Sequence, residues 1–498
     1  RMCYMRVHVA RHISWVSLFL AVFLLKSQDG VGRTISLEFV LQHFVPEIPE
    51  MKRLYLDLEN RKLSYENYRK GFLPAISFQW DSFQFNRSIQ RLQNAFDGSY
   101  NYVEDYSAST GLNVALQQSL GITGGTVRIG TSLDYLHEFS SNKNNYTTRP
   151  FYINLSQPLW GGRKEYLFRR DLARMGYELA FRRFVQERSA LEEQAVTLYL
   201  NAFLTRLSQE HAVRMKLSSD TLLNVSRLAL QHGRITDYEF NQVELECAES
   251  EHAVIQTRAA YEEALRAIQS FLCCSSPLVL SDSLSVDFPK ISADEVLRYA
   301  VENNPEMLNR EYTVLQARYQ NWQTKRENRL QGNISIDYGV NRYASSFSAA
   351  YRHPENRQNI SVSLTFPLFD WGIGHNKIRM ARNETAMAEL DAERSLKNLE
   401  QNVFEKVSLY NTALSGYALA RRSYELSISN YELMLRRFDI SRITVAELLD
   451  SRRSVYSFQE QYYESLYTLY TYYYQLRTLC LYDFKRHCDM SELFVYNY

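Results

Sequence analysis

The residues of this chain that could do chemistry are few and poorly spaced for it. Ten histidines are scattered along 498 residues, with no His-Glu-x-x-His and no paired ligand spacing, so no histidine-based metal centre is encoded. Five cysteines follow the N-terminal apolar run: Cys247, Cys273, Cys274, Cys480 and Cys488. None shows a zinc-site or Cys-x-x-Cys redox spacing. The adjacent pair Cys273-Cys274 reads as packed small residues. Cys273 and Cys480 fall at equivalent points of an internal repeat, which leaves a bridge between them open. The glycine-rich stretch Gly121 to Gly130 precedes a strand pattern, not a helix, so it builds no phosphate cradle. There is no nucleophile elbow. The run Tyr462, Tyr463, Tyr467, Tyr470, Tyr472, Tyr473 and Tyr474 is aromatic enough to stack a ligand, but its three- and four-residue spacings favour helix-helix packing. No catalytic group, cofactor or metal is expected.

What the chain does carry is charge and aromatic rings at places written twice. Asn154-Leu-Ser-Gln-Pro-Leu-Trp-Gly-Gly-Arg163 is answered by Ser361-Val-Ser-Leu-Thr-Phe-Pro-Leu-Phe-Asp-Trp-Gly-Ile-Gly374. Each begins as an alternating strand, passes through Pro-Leu-aromatic, bends at glycine and enters a long helical stretch. A second pair is Gly233-Arg-Ile-Thr-Asp-Tyr-Glu239 and Ser441-Arg-Ile-Thr-Val-Ala-Glu447, each a turn between two helices. There Gly233 suits the position just past a helix, and Thr236 and Thr444 suit N-caps. A third pair is Ile48-Pro-Glu-Met51 and Asn304-Pro-Glu-Met307. The order of these matches makes the chain a duplication.

The elements that position these motifs follow from periodicity. Ser36 to Lys70 and Ser292 to Arg329 read as helices broken near prolines, with Ser292 and Glu295 forming a capping box. Ala75-Ile-Ser-Phe78 and Asn333-Ile-Ser-Ile336 then switch to a strand period. Six segments alternate. Ile76, Phe78 and Trp80; Leu112, Val114 and Leu116; Val127, Ile129, Leu133 and Tyr135; Phe151, Ile153 and Leu155; Ile334, Ile336, Tyr338 and Val340; and Ile360, Val362, Leu364 and Phe366 each face away from polar neighbours. The stretches Asn86 to Ser109 and Glu138 to Arg149 read as long polar linkers, whereas Gly121 to Gly125 is a tight turn. Long connections on one side and short turns on the other are the habit of outer-membrane barrels. Arg163 to Leu230 and Asn376 to Arg437 read as helices on the order of 90–100 Å long at 1.5 Å per residue. Leu191, Ala195, Leu198 and Ala202, resumed by Met215, Leu222, Val225 and Ala229, give a coiled-coil seam. Helices return over Tyr238 to Leu272 and Val445 to Leu481.

Bulk properties agree with an extracytoplasmic structural protein. Lysine and arginine number 57 against 56 acidic residues, so no bulk attraction to nucleic acid or acidic lipid is expected. Thirty-six tyrosines stand beside only 10 prolines, a composition suited to strands and wet, half-apolar surfaces. Ile13 to Leu25 is the one strongly apolar run, shorter than the roughly 20 residues of a membrane helix. Preceded by Arg6, Arg11 and His12, it reads as a signal peptide, with residues 1–33 removed on export at an undefined site. Cys3 precedes the run, so no lipid anchor is expected.

With Gln157-Pro-Leu-Trp-Gly-Gly162, Phe366-Pro-Leu-Phe369, Asn304-Pro305 and the two Ile-Thr-x-x-Glu turns in this order, the chain resembles TolC-type outer-membrane efflux proteins over nearly everything after the signal. The resemblance implies an α+β membrane protein: a homotrimer whose outer-membrane β-barrel continues into a long α-helical coiled-coil tunnel in the periplasm, with two internal repeats per protomer. The first repeat covers 34–290, with four candidate strands in 75–158. The second covers 291–485, with two strands in 333–367, and 486–498 is a C-terminal tail. Family members usually give four strands per protomer, so six strands, or an additional hairpin outside the wall, both depart from the pattern. The implied function is the passive exit duct of a tripartite efflux pump or type I secretion system. Its partners are a periplasmic adaptor (membrane fusion protein), an inner-membrane transporter and the lipid bilayer, with no nucleic acid. The family gates the periplasmic end, which places Asp237 and Asp450 as an acidic ring at the entrance. Arg234 and Arg442 would pair across helices, and Phe438 stands where a tyrosine commonly bonds. Solvated charges at a turn are the simpler reading of the same residues. The strand-to-helix joint is Pro158, Trp160, Gly161 and Gly162 in one repeat and Pro367, Phe369, Trp371 and Gly372 in the other, read as an interfacial aromatic belt or as packing at the bend. A pore-less adaptor or coiled-coil scaffold is the alternative. It calls for a single hairpin flanked by soluble domains, where this chain has two.

Overall fold

The computed structural model describes residues 33–93, 100–274, 278–281, 284, 286–440 and 442–495. All but the last residue of the expected signal peptide therefore lie outside the described residues. In chain order the elements are β1 (Arg33–Ile35), α1 (Pro49–Lys70), β2 (Ala75–Gln93), β3 (Tyr100–Leu120), β4 (Gly125–Glu138), β5 (Lys143–Pro158), α2 (Gly162–Gln231), α3 (Asp237–Phe271), β6 (Leu278–Leu280), α4 (Ala293–Asn303), α5 (Pro305–Glu327), β7 (Gln331–Ala344), β8 (Glu355–Thr365), α6 (Ile373–Asp439), α7 (Val445–Cys480), β9 (Tyr482–Asp483), β10 (Cys488–Asp489) and α8 (Met490–Val495). They divide into two compact units, and neither is a sequence repeat. One takes Leu56–Phe184 and Glu302–Glu400, the other Arg1–Tyr55, Val185–Val301 and Gln401–Tyr498, so each repeat contributes to both.

The first unit is built on one six-stranded antiparallel sheet of order β2-β3-β4-β5-β7-β8. By the repeat β2 answers β7 and β5 answers β8, so β3 and β4 are the additional pair; they lie inside the sheet and are not a hairpin outside it. The alternation read from sequence survives in the register. Ile76, Leu116, Ile129, Ile153 and Tyr338 form one cross-strand row, and Val127, Leu155, Ile336 and Ile360 another. On the opposite face Gln117, Arg128, Asn154 and Asp337 line up. There Asn154 Nδ2 donates to Asp337 Oδ1 at 2.6 Å, and Tyr152 OH donates to Asn113 Oδ1 at 3.1 Å. Of the expected polar linkers, 86–93, 100–109, 138 and 143–149 are instead strand, 139–142 form a turn, and 94–99 lie outside the described residues. β2 runs on to Gln93, and Asn86 pairs with Ser107 and Ser88 with Asp105; β5 begins at Lys143. A strand needs an apolar face only where that face meets something apolar. Beyond it, cross-strand backbone pairing extends the hairpin through polar sequence.

In the same unit, α5 opens with Asn304, whose side chain accepts the Glu306 N–H at 2.8 Å, and with Pro305 at its first position. Phe168 of α2 packs on Tyr319 and Trp322 of α5, Arg326 pairs with Glu165, and Arg318 of α5 holds Glu389 of α6 at 2.8 Å.

The second unit is helical. The parallel pair β1–β6 ties its segments, with Tyr199 OH donating to Ile35 O at 3.0 Å and Arg206 Nη1 to Leu280 O at 2.7 Å. The seam of α2 differs in part from the expected one. Ala195 and Ala202 are buried, as are Met215 and Leu222, but Val225 is exposed and Ser219 and Ser226 are buried in its place. The spacing 215-219-222-226-229 keeps the four-three alternation that a seam needs, and two serines fill it without bulk. Of the tyrosine run, Tyr470, Tyr473 and Tyr474 are buried, and Tyr462 stacks on Tyr424 with ring centroids 5.6 Å apart. The rings are packing. The start of the expected C-terminal tail, of which 496–498 lie outside the described residues, is held by Asp483, which accepts from Tyr473 OH at 2.9 Å and from the Lys485 and Arg486 backbone N–H groups. β9 then pairs with β10, and α8 follows. All five described cysteines are free, so Cys273 and Cys480 are not bridged. Among the described residues, no helix is long and apolar enough to cross a membrane.

Candidate functional site

The two helix turns close by the same chemistry. Past the end of α2, Gly233 adopts φ +64°, its N–H donates to Leu230 O and the Arg234 N–H reaches back to Ala229 O at 2.8 Å. This double closure needs the left-handed backbone that glycine adopts at little cost. At the second turn the Arg442 N–H makes the equivalent bond to Arg437 O at 3.0 Å. Both return helices then start with complete capping boxes. Thr236 and Glu239 exchange bonds, as do Thr444 and Glu447, with the carboxylates 2.8 Å from the two cap N–H groups. Those bonds hold the Glu447 carboxyl below its usual range. Beneath the turns Met215, Leu222, Val243, Tyr431, Val445, Leu448, Leu449 and Val455 form one apolar core.

Asp237 is the first residue of α3 and is exposed, where its carboxylate faces the positive end of the helix. Asp450 lies on the exposed side of α7, with Arg453 4.0 Å away as its nearest cation. Arg234 and Arg442 are exposed and make no ion pair among the described residues of this single chain. Phe438 packs against the apolar core under the turns. These five residues therefore share the turn region, with the charges outside and the ring inside.

At the first joint Pro158 ends β5, Gly161 turns at φ +82° and Gly162 begins α2. A Cβ on Gly162 would meet Thr123 O at 2.2 Å, so only glycine fits there. Trp160 Nε1 donates to Leu330 O at 3.1 Å, and the Leu159 N–H donates to Gly332 O at 2.9 Å. At the second joint Trp371 and Gly372 take φ +56° and +84° after Pro367, and Asp370 accepts the Gly372 and Gly374 N–H groups. Phe369 and Trp371 pack edge-on to each other at 4.7 Å and are otherwise open.

A set of buried charges escaped the sequence reading. Arg452 is 1% exposed on α7; its Nη2 donates to Met215 O at 2.7 Å, and Glu246 of α3 lies 3.7 Å away. Arg452 Nε and Nη1 and Glu246 Oε2 have no hydrogen-bond partner. Beside them His211 is buried. Desolvation, then the Arg214 and Arg452 charges, push its pKa down to about 4, so its ring is neutral. A second cluster joins Arg477 to Glu192 and Asp483, with Arg188 3.3 Å from Glu192. The signal was available: Leu448, Arg452, Val455 and Gln459 keep one helical stripe, so a charge on that stripe had to be buried.

Among the described residues no His, Cys, Asp and Glu cluster could hold a metal ion. The arrangement offers surfaces, charges and a two-faced sheet.

Residues 296–480 match the family model described as outer membrane efflux protein. No curated protein matches the chain. Among solved structures, the fold is similar to the Campylobacter jejuni CmeC outer membrane channel, at 14% identity and TM-score 0.61 over 89% of this chain and 85% of that one. It is similar also to the open state of the Neisseria gonorrhoeae MtrE outer membrane channel, at 15% identity and TM-score 0.62 over 89% and 88%. The Vibrio cholerae outer membrane protein VceC gives 10% identity and TM-score 0.62 over 89% and 95%. The fold is that of outer-membrane channels.

Proposed function

We propose that this chain is a passive outer-membrane exit duct. Three copies each supply the six strands of their sheet to one barrel, and their helices line a tunnel on the periplasmic side. The observation that carries this reading is the sheet's two faces. Ile76, Phe78, Trp80, Ile360, Val362 and Leu364 form an apolar face left exposed, while the opposite face is polar and internally hydrogen-bonded. A sheet in water buries its apolar face; a barrel in lipid shows it to the bilayer and turns its polar face to a wet lumen. Each strand has at least 11 residues, enough to span the hydrocarbon at the usual tilt.

In this reading the exposed Asp237 and Asp450 ring the periplasmic entrance and favour cations. Arg234 and Arg442 pair between neighbouring protomers, and Phe438 anchors the second turn to the core below it. A periplasmic adaptor separates the turns, and an inner-membrane transporter selects the cargo. The joints Pro158 to Gly162 and Pro367 to Gly372 mark the change from barrel to tunnel. Fractionation tests it: the protein is expected in the detergent-insoluble outer membrane as a heat-modifiable trimer. A soluble monomer would instead support a pore-less scaffold.

A further inference from the structure

The additional pair β3–β4 leaves its mark below the sheet. Its turn, Gly121–Gly125, seats on the start of α2, where a Cβ on Gly121 would lie 2.6 Å from the Tyr166 ring. The second repeat passes straight from β7 to β8 and has no counterpart of this turn. Between the turn, α1 and α2 lies a cavity of about 650 Å³, within the range of about 300–1,000 Å³ usual for small-molecule sites. In its wall Phe72, just past α1, packs edge-on against Tyr68 and Tyr166, with ring centroids 5.3 and 5.1 Å apart. Arg69 and Arg170 line it from the two helices. The strand period fixes its place on the sheet. Leu112, Val114 and Leu116 carry the apolar face along β3, and Gln118, next on that side, lines the cavity and donates to Phe72 O at 3.5 Å. The cavity therefore lies at the foot of the apolar face, where polar side chains take over. Ile122, in the turn itself, is 77% exposed. Two groups of the wall are left wanting. Arg170 holds Asp171 at 2.8 Å and Lys70 holds Glu66 at 2.9 Å, but the exposed Arg69 guanidinium makes no ion pair among the described residues. Tyr68 Oη is buried without a hydrogen-bond partner, a state that calls for an acceptor the chain does not supply.

We propose that this cavity binds the phosphodiester headgroup of an anionic phospholipid from the periplasmic leaflet. Arg69 and Arg170 take the phosphate, which a guanidinium grips through two parallel hydrogen bonds. The rings of Tyr68, Phe72 and Tyr166 meet the glycerol backbone, as tyrosine does at membrane boundaries. The acyl chains run up the exposed apolar face of β3. A free anion would use the cations alone; the three rings and the bare Ile122 fit a ligand that is apolar as well. The charge count selects the headgroup. Asp171 neutralises Arg170, so Arg69 leaves one positive charge over, which matches phosphatidylglycerol and not the net-neutral phosphatidylcholine. A lipid held here ties the turn of the additional pair to both helices. The proposal rests on the channel reading, which sets the foot of the apolar face at the membrane boundary, and adds a defined lipid site to it.

The test is native mass spectrometry of the full chain, extracted in non-ionic detergent and titrated with dioleoylphosphatidylglycerol or dioleoylphosphatidylcholine. One phosphatidylglycerol per chain is expected to bind at least about tenfold more tightly than phosphatidylcholine. Arg69→Gln with Arg170→Gln is expected to abolish that preference. Arg61→Gln, also exposed on α1 but outside the cavity, is expected to leave it unchanged. Inorganic phosphate is expected not to displace the lipid; displacement as effective as that by phosphatidylglycerol makes a free anion the ligand and overturns the lipid assignment. Heat-modifiable trimers that hold the two lipids equally overturn the site and leave the channel reading standing. So does a double variant that keeps the preference. If the double variant fails to assemble, the preference of the unsubstituted chain still decides. A soluble monomer without lipid overturns both the site and the channel reading.

Discussion

Arg452 should be the most sensitive position under the helix turns, and the reason can be worked from its surroundings. The side chain is 1% exposed and donates a hydrogen bond to Met215 O, while Glu246 stands 3.7 Å away with an unbonded Oε2. Arg452→Met keeps the length and removes the charge. It strands a buried carboxylate, a loss of about 3–5 kcal/mol in comparable pairs. Arg453 remains 3.8 Å from Glu246 and partly compensates it, which sets the expectation at the low end, about 3 kcal/mol. Replacing both charges, as Arg452→Met with Glu246→Leu, removes the stranded ion and is expected to be neutral to stabilising by about 1–4 kcal/mol. Denaturant melts of the detergent-solubilised protein, followed by circular dichroism and arranged as a double-mutant cycle, read the coupling directly. A neutral Arg452→Met, or a double variant that simply sums the two single losses, would refute the assignment of a buried, mutually dependent pair.

Three further outcomes follow from the same region. His211 has its folded pKa lowered from an ordinary 6.5 to about 4, so between these values the unfolded chain binds more protons. Stability should be complete above pH 6.5 and fall as pH drops towards 4, by on the order of 2–3 kcal/mol; melts of His211→Leu over this range should lose that slope. Asp450→Ala should reduce single-channel conductance and cation preference, and unchanged values would remove it from the entrance. Thr236→Ala and Thr444→Ala each delete an N-cap and should cost about 1 kcal/mol, seen as faster amide exchange in the first turns of α3 and α7 with the sheet unaffected.

Much of the fold was legible because the chain is written twice and each joint is spelled by residues with narrow backbone options. Gly233, Thr236 and Thr444 marked the turns, and Pro158, Gly161 and Gly162 marked the first joint, since few other residues fit those positions. The strand faces were legible where a periodicity of two met apolar residues, and the long arms of β2 and β3 were not, because polar residues dominate there: Asn86 and Ser107 both bond the Asp105 carboxylate, and only Phe83, Phe85 and Ile89 continue the alternation on β2. Arg452, Glu246 and His211 were missed for the opposite reason: charged residues on a long helix read as solvated until a second helix is seen to cover them. Val225 and Ser226 show how narrow that margin is. One residue of phase decides which is buried, and hydrophobicity pointed to the wrong one.

The most direct test of the channel reading is conductance of the purified, membrane-extracted protein in a planar lipid bilayer. Trimers should give stepwise ion conductance of one unitary size. Trimers or monomers that leave the bilayer silent under conditions in which a known porin inserts would contradict it.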